Sequence, residues 1–207
     1  GLIRREVRDH LSQTDVILAL GTELSATDSF VETLPINGKL IRVDIDPSKF
    51  NDAYPADIAI QGDAGAAAAG ILAALQKLAA APMSRGSREK ASVLRDKVAA
   101  GLKPFERQHK VVWDTLRSVL PPETIIMGDI TQIVYSGSAV MPVDLPRRWF
   151  YPAGFGTLGC ALPGAIGAKL AEPDVPVVAV VGDGGFMYTV QELMTAIELQ
   201  LPIPVII

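Results

Sequence analysis

The chain has 207 residues, of which 49% are hydrophobic and 20% charged, and its formal net charge at pH 7 is −4. Lysine and arginine residues are scattered among acidic ones, which argues against a nucleic-acid-binding surface. No apolar run reaches the roughly 18 residues of a membrane-spanning helix, and the amino terminus lacks a signal-peptide pattern. Because the chain has one cysteine, Cys160, and two histidines, we expect neither a disulfide nor a zinc site and predict a cytoplasmic α/β protein.

The first part of the chain, residues 1–80, predicts a small α/β module. Short apolar runs predict parallel strands over residues 15–21, 39–46 and 57–63, and a short helix is predicted over residues 26–34. The alanine-rich stretch after Asp63 predicts a longer helix, with the Asp63 carboxylate as its amino-terminal cap.

Residues 81–106 are charged and punctuated by proline and glycine, which predicts an interdomain linker with some helix of its own. Residues 107–207 then predict a second α/β module. Its predicted elements are a helix over 111–120, a strand over 124–129, an irregular region over 131–156, a helix over 162–171, a strand over 177–181, a loop over 182–188, a helix from about Thr189 to 200 and a strand over 203–207.

This alternation of strands and helices predicts the α/β class, with two doubly wound parallel-sheet modules joined by the linker. The last predicted strand ends at Ile207 with no helix after it, although parallel strands need both faces covered. The first module has few strands for a doubly wound domain. We therefore expect the chain to be a piece of a longer protein, cut at both ends.

Residues 154–159, "GFGTLG", match the G-x-G-x-x-G pattern of dinucleotide-binding folds. That pattern works only when a buried strand leads into the first glycine and a helix begins at the motif. The preceding "LPRRWFYPA" contains two prolines and two arginines and is a poor central strand. A nicotinamide-binding oxidoreductase therefore stays an alternative, and the context argues against it.

A second glycine-rich stretch, "GDGG" at residues 182–185, follows the predicted strand "VVAVV". Asp183 then lies at the carboxyl end of a strand, where open α/β sheets bind ligands. We expect Gly184 and Gly185 to form a tight turn whose N–H groups face an anion, and Thr189 and Glu192 to form a capping box. A carboxylate beside a phosphate site is suited to Mg²⁺.

Two alternatives to this interpretation remain open. A Walker B strand also ends in aspartate, but no G-x-x-x-x-G-K-[ST] pattern accompanies it in this chain. The stretch could also be a plain glycine turn with a solvated Asp183, which would suit a non-catalytic nucleotide-binding or interaction fragment.

With "GDGGF" followed by "QELMTAIELQLPIPVII", the chain resembles the thiamine diphosphate (ThDP) motif, which opens with Gly-Asp-Gly and closes with Asn-Asn. The stretch from Gly154 to Gly185 is similar to that of acetolactate synthases and 2-oxo acid decarboxylases. The resemblance implies that residues 1–80 are the second half of the family's central domain and residues 107–207 the first part of its C-terminal ThDP-binding domain. The closing Asn-Asn would come just after Ile207.

The resemblance also implies roles for individual residues. Asp183 would be a Mg²⁺ ligand, and the Gly156 carbonyl would accept a hydrogen bond from the 4′-amino group of the aminopyrimidine. Leu158 would hold ThDP in its bent form, and leucine there leans toward decarboxylation. The implied cofactor-binding residues are Thr131, Gln132, Gly156, Thr157, Leu158, Asp183, Gly184 and Gly185.

By this resemblance, the whole protein would cleave the bond beside a 2-oxo acid carbonyl, with acetolactate synthase proper as the alternative. The family's catalytic glutamate belongs to its amino-terminal domain, on a neighbouring subunit. We therefore expect no catalytic residue in this chain, no turnover by the 207-residue chain alone, and a homodimer or homotetramer for the full-length protein. The loop over residues 132–150 departs from the synthases, which suggests a substrate with a basic or polar tail.

We expect no FAD, because Glu23 stands where flavin-binding synthases typically carry arginine. The match of Asp63-Ala64 to a flavin-contacting pair is explained by the helix cap. Cys160 is predicted to be a small buried side chain and His109 to be solvated, while Trp113 and Trp149 are predicted to be packing residues.

Overall fold

The computed structural model describes residues 2–78 and 85–207, and the chain divides into two compact units, Gly1–Gly101 and Leu102–Ile207. The end of the predicted first module, 79–80, and the start of the predicted linker, 81–84, lie outside the described residues. No helix in the described part is both long and apolar enough to cross a membrane.

The first unit is built on a parallel sheet in which the strand order is β1-β2-β3. Its elements are α1 (Arg5–Leu11), β1 (Val16–Leu20), α2 (Ala26–Ser29), β2 (Lys39–Asp44), a 3-10 helix (Pro47–Asn51), β3 (Ile58–Gln61), α3 (Ala64–Lys77) and α4 (Arg85–Ala100). The three predicted strands are confirmed. As predicted, the Asp63 carboxylate caps α3 by accepting a 2.8 Å hydrogen bond from the Ala66 N–H.

The first unit also departs from the prediction at α2, which has four residues instead of the nine expected. It ends because Phe30 takes a left-handed conformation, with φ of 53°, while its N–H still bonds to the Ala26 carbonyl. The predicted linker contains the 16-residue helix α4, which packs against α1.

An ion pair between buried Arg42 and partly exposed Asp52 ties β2 to the loops around it. Arg42 has only 1% of its surface exposed and donates to Asp52 at 2.6 Å and to the Tyr54 carbonyl at 3.0 Å. Burial alone would raise the pKa of Asp52, but hydrogen bonds from Arg42 and the Tyr54 N–H, with the charge of Arg42, lower it overall. Asp52 is therefore ionised at neutral pH and holds the loop after the 3-10 helix.

The second unit contains a parallel sheet of order β5-β4-β6-β7. Its elements are α5 (Pro104–Val119), β4 (Ile125–Gly128), α6 (Gln132–Val140), β5 (Trp149–Phe150), α7 (Ala161–Ala171), β6 (Val177–Val180), α8 (Asp183–Thr189), α9 (Glu192–Glu198) and β7 (Val205–Ile206). The sequence predicted two parallel-sheet α/β modules, and both are confirmed.

Strand β6 shows why its sequence is a continuous apolar run. Val178 and Val180 pack in a cluster with Trp113 of α5, whereas Val177 and Ala179 pack in another with Ala161 and Ala165 of α7. Both faces of the strand are therefore covered, as a parallel sheet requires.

The region 131–156, predicted to be irregular, contains α6 and the two-residue strand β5. Helix α6 depends on packing against α5, because the Trp113 indole N–H donates a 2.8 Å hydrogen bond to the Ile133 carbonyl. A side chain at Gly137 would collide with Trp113 and Trp149. Gly137, which weakens the helical pattern in the sequence, is thus the residue that permits close packing.

Candidate functional site

The candidate site lies where the neighbouring strands β4 and β6 end. These strands are parallel, with Gly128 paired to Val180, so the residues after each strand lie at the same edge of the sheet. A Cβ built on Gly182 would lie 3.1 Å from the Thr131 hydroxyl oxygen. The structure therefore brings Thr131 beside the residue that precedes Asp183.

Asp183 is exposed and is the first residue of α8. Its Oδ1 accepts a 2.8 Å hydrogen bond from the Gly184 N–H. Gly184 is also exposed, and a Cβ built there would meet no atom within 4 Å. The space beside Gly184 is therefore open in the part of the chain that the structure describes, which leaves room for a bound group.

The predicted loop over residues 182–188, with its tight turn at Gly184 and Gly185, is wrong, because α8 begins at Asp183 and neither glycine has positive φ. An acidic residue in the first turn suits the positive end of a helix. Gly185 is needed for another reason: a Cβ there would lie 3.1 Å from Oδ1 of buried Asp129.

The predicted capping box of Thr189 and Glu192 is also wrong. The Thr189 hydroxyl donates to the Gly159 carbonyl at 3.0 Å, and the Glu192 carboxylate accepts from the Thr195 hydroxyl at 3.0 Å. Both side chains have better partners than the local backbone, because α8 already runs to Thr189 and the chain re-enters a helix only at Glu192.

The loop 154–159 is exposed from Gly154 to Leu158 and buried at Gly159. Gly156 has φ of 64°, a conformation that favours glycine, and a Cβ built there would meet nothing within 4 Å. Leu158 is 44% exposed. The predicted Gly156, Thr157 and Leu158 therefore form an open segment, with one end fixed at Gly159.

This geometry differs from a dinucleotide-binding turn. Helix α7 begins at Ala161, after the third glycine of the motif, whereas a Rossmann helix begins within it. The strand before the motif, β5, has two residues and lies at the edge of the sheet.

The sequence interpretation missed Asp129, which is fully buried at the end of β4. Its Oδ1 accepts hydrogen bonds from the N–H groups of Ile130 at 2.7 Å and Gly159 at 3.1 Å, and its Oδ2 accepts from Ala161 at 3.2 Å. The rule that singled out Asp183, an acid at the carboxyl end of a central strand, applies equally to Asp129.

The donor set is compatible with a cation shared with a ligand. No group of three or more His, Cys, Asp or Glu side chains that could hold a metal occurs in residues 2–78 and 85–207. Mg²⁺ in proteins commonly takes one or two carboxylates and completes its shell with phosphate oxygens and water. The exposed Asp183 carboxylate, beside the open backbone of Gly184, fits that pattern.

Two neighbouring side chains have structural partners. The Cys160 thiol donates to the Gly128 carbonyl at 3.8 Å; burial, and then the charge of Asp129, raise the pKa of Cys160 to about 11. His109 was predicted to be solvated, but its Nδ1 lies 2.9 Å from the hydroxyl of buried Ser136. Trp113 and Trp149 pack edge to face with ring centres 5.1 Å apart, as predicted.

Two family models match the chain, one in each unit. Residues 1–75 match the central domain of thiamine pyrophosphate enzymes, and residues 129–207 match their C-terminal TPP-binding domain. Thiamine pyrophosphate is another name for ThDP. The second match includes both Asp129 and the open loop 154–159.

Curated proteins from three bacteria are similar over most of the chain. A probable 2-ketoarginine decarboxylase of Pseudomonas aeruginosa is 41% identical over 197 residues, covering 95% of this chain and 35% of the relative. A sulfoacetaldehyde acetyltransferase of Rhodobacter capsulatus is 34% identical, covering 88% and 35%. The acetolactate synthase isozyme 3 large subunit of Escherichia coli is 31% identical, covering 95% and 35%.

The chain thus spans about a third of the length of these relatives. The matched models cover parts of both compact units, and the candidate site lies within the TPP-binding match. The chain belongs to the thiamine diphosphate enzyme family, of which it contains central-domain and C-terminal TPP-binding segments.

Proposed function

We propose that the full-length protein is a ThDP- and Mg²⁺-dependent enzyme that cleaves the bond between the carbonyl and the carboxylate of a 2-oxo acid. The observation that carries the proposal lies at one edge of the sheet. Helix α8, which begins at exposed Asp183, bonds through Thr189 to the open loop 154–159, and the same loop bonds to Asp129. Both segments lie inside the stretch that matches the TPP-binding domain.

The residues present fit this cofactor. Asp183 would hold Mg²⁺, and the diphosphate would lie against the backbone of Gly184 and Gly185 and the side chains of Thr131 and Gln132. Gln132 is exposed at the start of α6, and Thr131 is partly exposed just before it. All of these residues lie at or next to the carboxyl ends of β4 and β6.

The loop would serve the ring end of the cofactor. Gly156, without a Cβ, would bring its carbonyl to the aminopyrimidine, and Thr157 and Leu158 would contact the rings. When bound, the thiazolium ring supplies the electron sink for the carbanion left by decarboxylation. Leu158, at 44% exposure, would exclude water from that ring.

For the substrate, we propose a 2-oxo acid with a cationic tail, with 2-ketoarginine as the first compound to test. The relative at 41% identity is named a probable 2-ketoarginine decarboxylase. The segment 132–150 departs from the synthase pattern, which is consistent with another substrate. Carboligation of two 2-oxo acids, as in acetolactate synthase, is the second candidate, since such a synthase is 31% identical.

The test uses the full-length protein, purified free of cofactor. ThDP affinity is measured by calorimetry with and without Mg²⁺, and CO₂ release is measured with 2-ketoarginine and with pyruvate. We expect Mg²⁺-dependent ThDP binding and faster release from 2-ketoarginine. Acetolactate formed from pyruvate would support the second candidate, whereas NAD binding without ThDP binding would contradict both.

Three properties of the full-length protein remain predictions of the same proposal. The catalytic glutamate would come from the amino-terminal domain of a neighbouring subunit, so the 207-residue chain alone should show no turnover. The assembly would be a homodimer or homotetramer. A cytoplasmic location is expected, with a small-molecule substrate and no nucleic-acid or membrane partner.

A further inference from the structure

Asp129 connects three parts of the second unit through one carboxylate. Its own N–H continues the sheet by donating to the Val180 carbonyl at 2.9 Å. Its side chain accepts from Gly159 at the end of the loop 154–159 and from Ala161, the first residue of α7. The loop is thus attached to the end of β4 by hydrogen bonds from buried N–H groups.

The chemistry of these bonds requires a carboxylate. Oδ1 accepts two N–H groups and Oδ2 accepts a third, and an ionised carboxylate is a side chain that only accepts. Because Ala161 begins an 11-residue helix, the negative charge also lies at the positive end of α7. An asparagine would turn its NH₂ group toward the N–H of either Gly159 or Ala161, and that bond would be lost.

Helix α8 bounds the same carboxylate on another side. A Cβ on Gly185 would lie 3.1 Å from Oδ1 and 3.2 Å from Cγ of Asp129. The absence of a Cβ at Gly185 therefore makes room for the Asp129 carboxylate beside α8, and α8 carries Asp183 at its first residue. One buried side chain thus bonds to the end of the loop 154–159 and lies beside α8, the two segments that the proposed function assigns to the cofactor.

We propose that Asp129 is a positioning residue, which fixes the loop bearing Gly156 and Leu158 relative to the helix bearing Asp183. The inference rests on the proposed function, since its purpose is to align the ring end and the diphosphate end of ThDP. Asp129 would not touch the reacting atoms. It acts through the backbone of Gly159 and through Gly185.

The test compares D129N with D174N in the full-length protein. Asp174 is exposed in the turn before β6 and provides the same chemical change away from the site. We expect D129N to raise the ThDP dissociation constant, measured by calorimetry with saturating Mg²⁺, by at least about tenfold, because a charge-assisted hydrogen bond is lost. D174N should match the wild type.

Amide hydrogen exchange provides a readout that does not depend on the cofactor. In D129N, the amides of Gly159 and Ala161 should lose protection, while those of β6 should keep theirs.

The kcat should fall even at saturating ThDP, because the loop is misplaced when the cofactor is bound. A purely structural role would lower the melting temperature but leave both kcat and ThDP affinity at wild-type values, and that result would overturn the inference.

If D129N does not fold, G185A tests the same contact from α8. The readout is hydrogen exchange without cofactor, because Gly185 itself is assigned to the diphosphate: lost protection at Gly159 and Ala161 would support the inference, and unchanged protection would overturn it. Failure of the proposed function has a different result, because the wild-type protein itself would then bind no ThDP. A wild type that binds ThDP, with a D129N variant that binds it equally well, overturns only the role of Asp129.

Discussion

The hydroxyl of Thr189, at the end of α8, donates a 3.0 Å hydrogen bond to the carbonyl of Gly159 in the loop 154–159. The two residues also pack closely, because a Cβ on Gly159 would lie 3.1 Å from Cγ2 of Thr189. This contact attaches the loop to α8. Gly159 donates its N–H to Asp129 and accepts at its carbonyl from Thr189. Both polar groups of one buried glycine are therefore occupied in holding the loop.

Replacing Thr189 by valine should loosen this loop without changing the volume of the side chain greatly. We expect T189V to lower the free energy of unfolding by about 0.5–1.5 kcal/mol, the usual net value of one hydrogen bond. In the full-length protein it should also weaken ThDP binding, because the carbonyl of Gly159 loses its partner. Denaturant unfolding and calorimetry measure the two effects.

The matched control is T115V, in which the lost hydroxyl bonds only to the Val111 carbonyl within α5. T115V should leave ThDP affinity unchanged. Equal ThDP affinities for T189V and the wild type would show that this hydrogen bond does not orient the loop.

Replacement by alanine should have opposite effects on stability at Gly159 and at Gly167. Gly159 has φ of 82°, and a Cβ there would lie 2.9 Å from Cβ of Tyr188. We expect G159A to destabilise the protein by more than about 1 kcal/mol, through backbone strain and this clash. G167A, in α7 with no atom within 4 Å of a new Cβ, should stabilise by up to about 1 kcal/mol.

Thermal and denaturant unfolding of the two variants provide the measurement. A G159A variant as stable as the wild type would mean that this glycine is not required by the fold.

The sequence predicts well the elements that are set by local pattern. Strands β1, β4 and β6 are apolar runs, of which β4 and β6 are buried, and the cap of α3 is a bond between neighbours in the chain. The two-unit organisation also follows from pattern, since strands and helices alternate on either side of a charged stretch. These features depend on residues that are close in sequence.

The main failures in the second unit involve contacts between distant residues. Helix α6 is stabilised by Trp113, which lies 20 positions before the carbonyl it binds, and Asp129 accepts from Gly159, which is 30 positions away. The sequence predicts a helix start at about Thr189 from a capping box, after a tight turn at Gly184 and Gly185, whereas α8 begins at Asp183. In the fold, Gly185 serves to admit the Asp129 carboxylate, a requirement that a single sequence does not reveal.

Removing the Asp183 carboxylate should make the ThDP affinity independent of Mg²⁺. In the full-length protein, we expect D183A to abolish the Mg²⁺-dependent part of ThDP binding, because Asp183 is the carboxylate proposed to hold the metal. Stability should change little, since Asp183 is exposed and its carboxylate accepts a hydrogen bond from the adjacent Gly184 N–H. Calorimetry with and without Mg²⁺ measures the effect, and D174A is the control. Unchanged Mg²⁺ dependence in D183A would defeat the metal assignment.

Glu23 leads to a prediction about flavin. Its carboxylate pairs with Lys49 at 2.7 Å, and this hydrogen bond, with the charge of Glu23, raises the pKa of Lys49. An acid at this position would repel a flavin diphosphate, and the neighbouring cation already has a partner. We expect the purified full-length protein to show no flavin absorption in the visible range and no binding of added FAD. A yellow protein that releases FAD on denaturation would contradict this.

The reactivity of Cys160 should rise only at high pH. Burial, and then the charge of Asp129, raise its pKa from 9.0 to about 11, and the thiolate is the form that reacts with iodoacetamide. Labelling of the folded chain should therefore be slow at neutral pH, whereas the unfolded chain should label near pH 9. As this is the one cysteine in the sequence, mass spectrometry reports on it alone.

The same shift has a consequence for stability. Because the pKa of Cys160 is higher in the folded state, its contribution to stability is full below the unfolded value of 9.0 and is lost as pH rises toward 11. D129N removes the charge of Asp129, one of the two causes that raise the pKa of Cys160. Its Cys160 should therefore label faster than that of the wild type at the same pH, and the D174N control should label at the wild-type rate. Equal labelling rates in D129N and D174N would mean that the Asp129 charge does not act on this thiol.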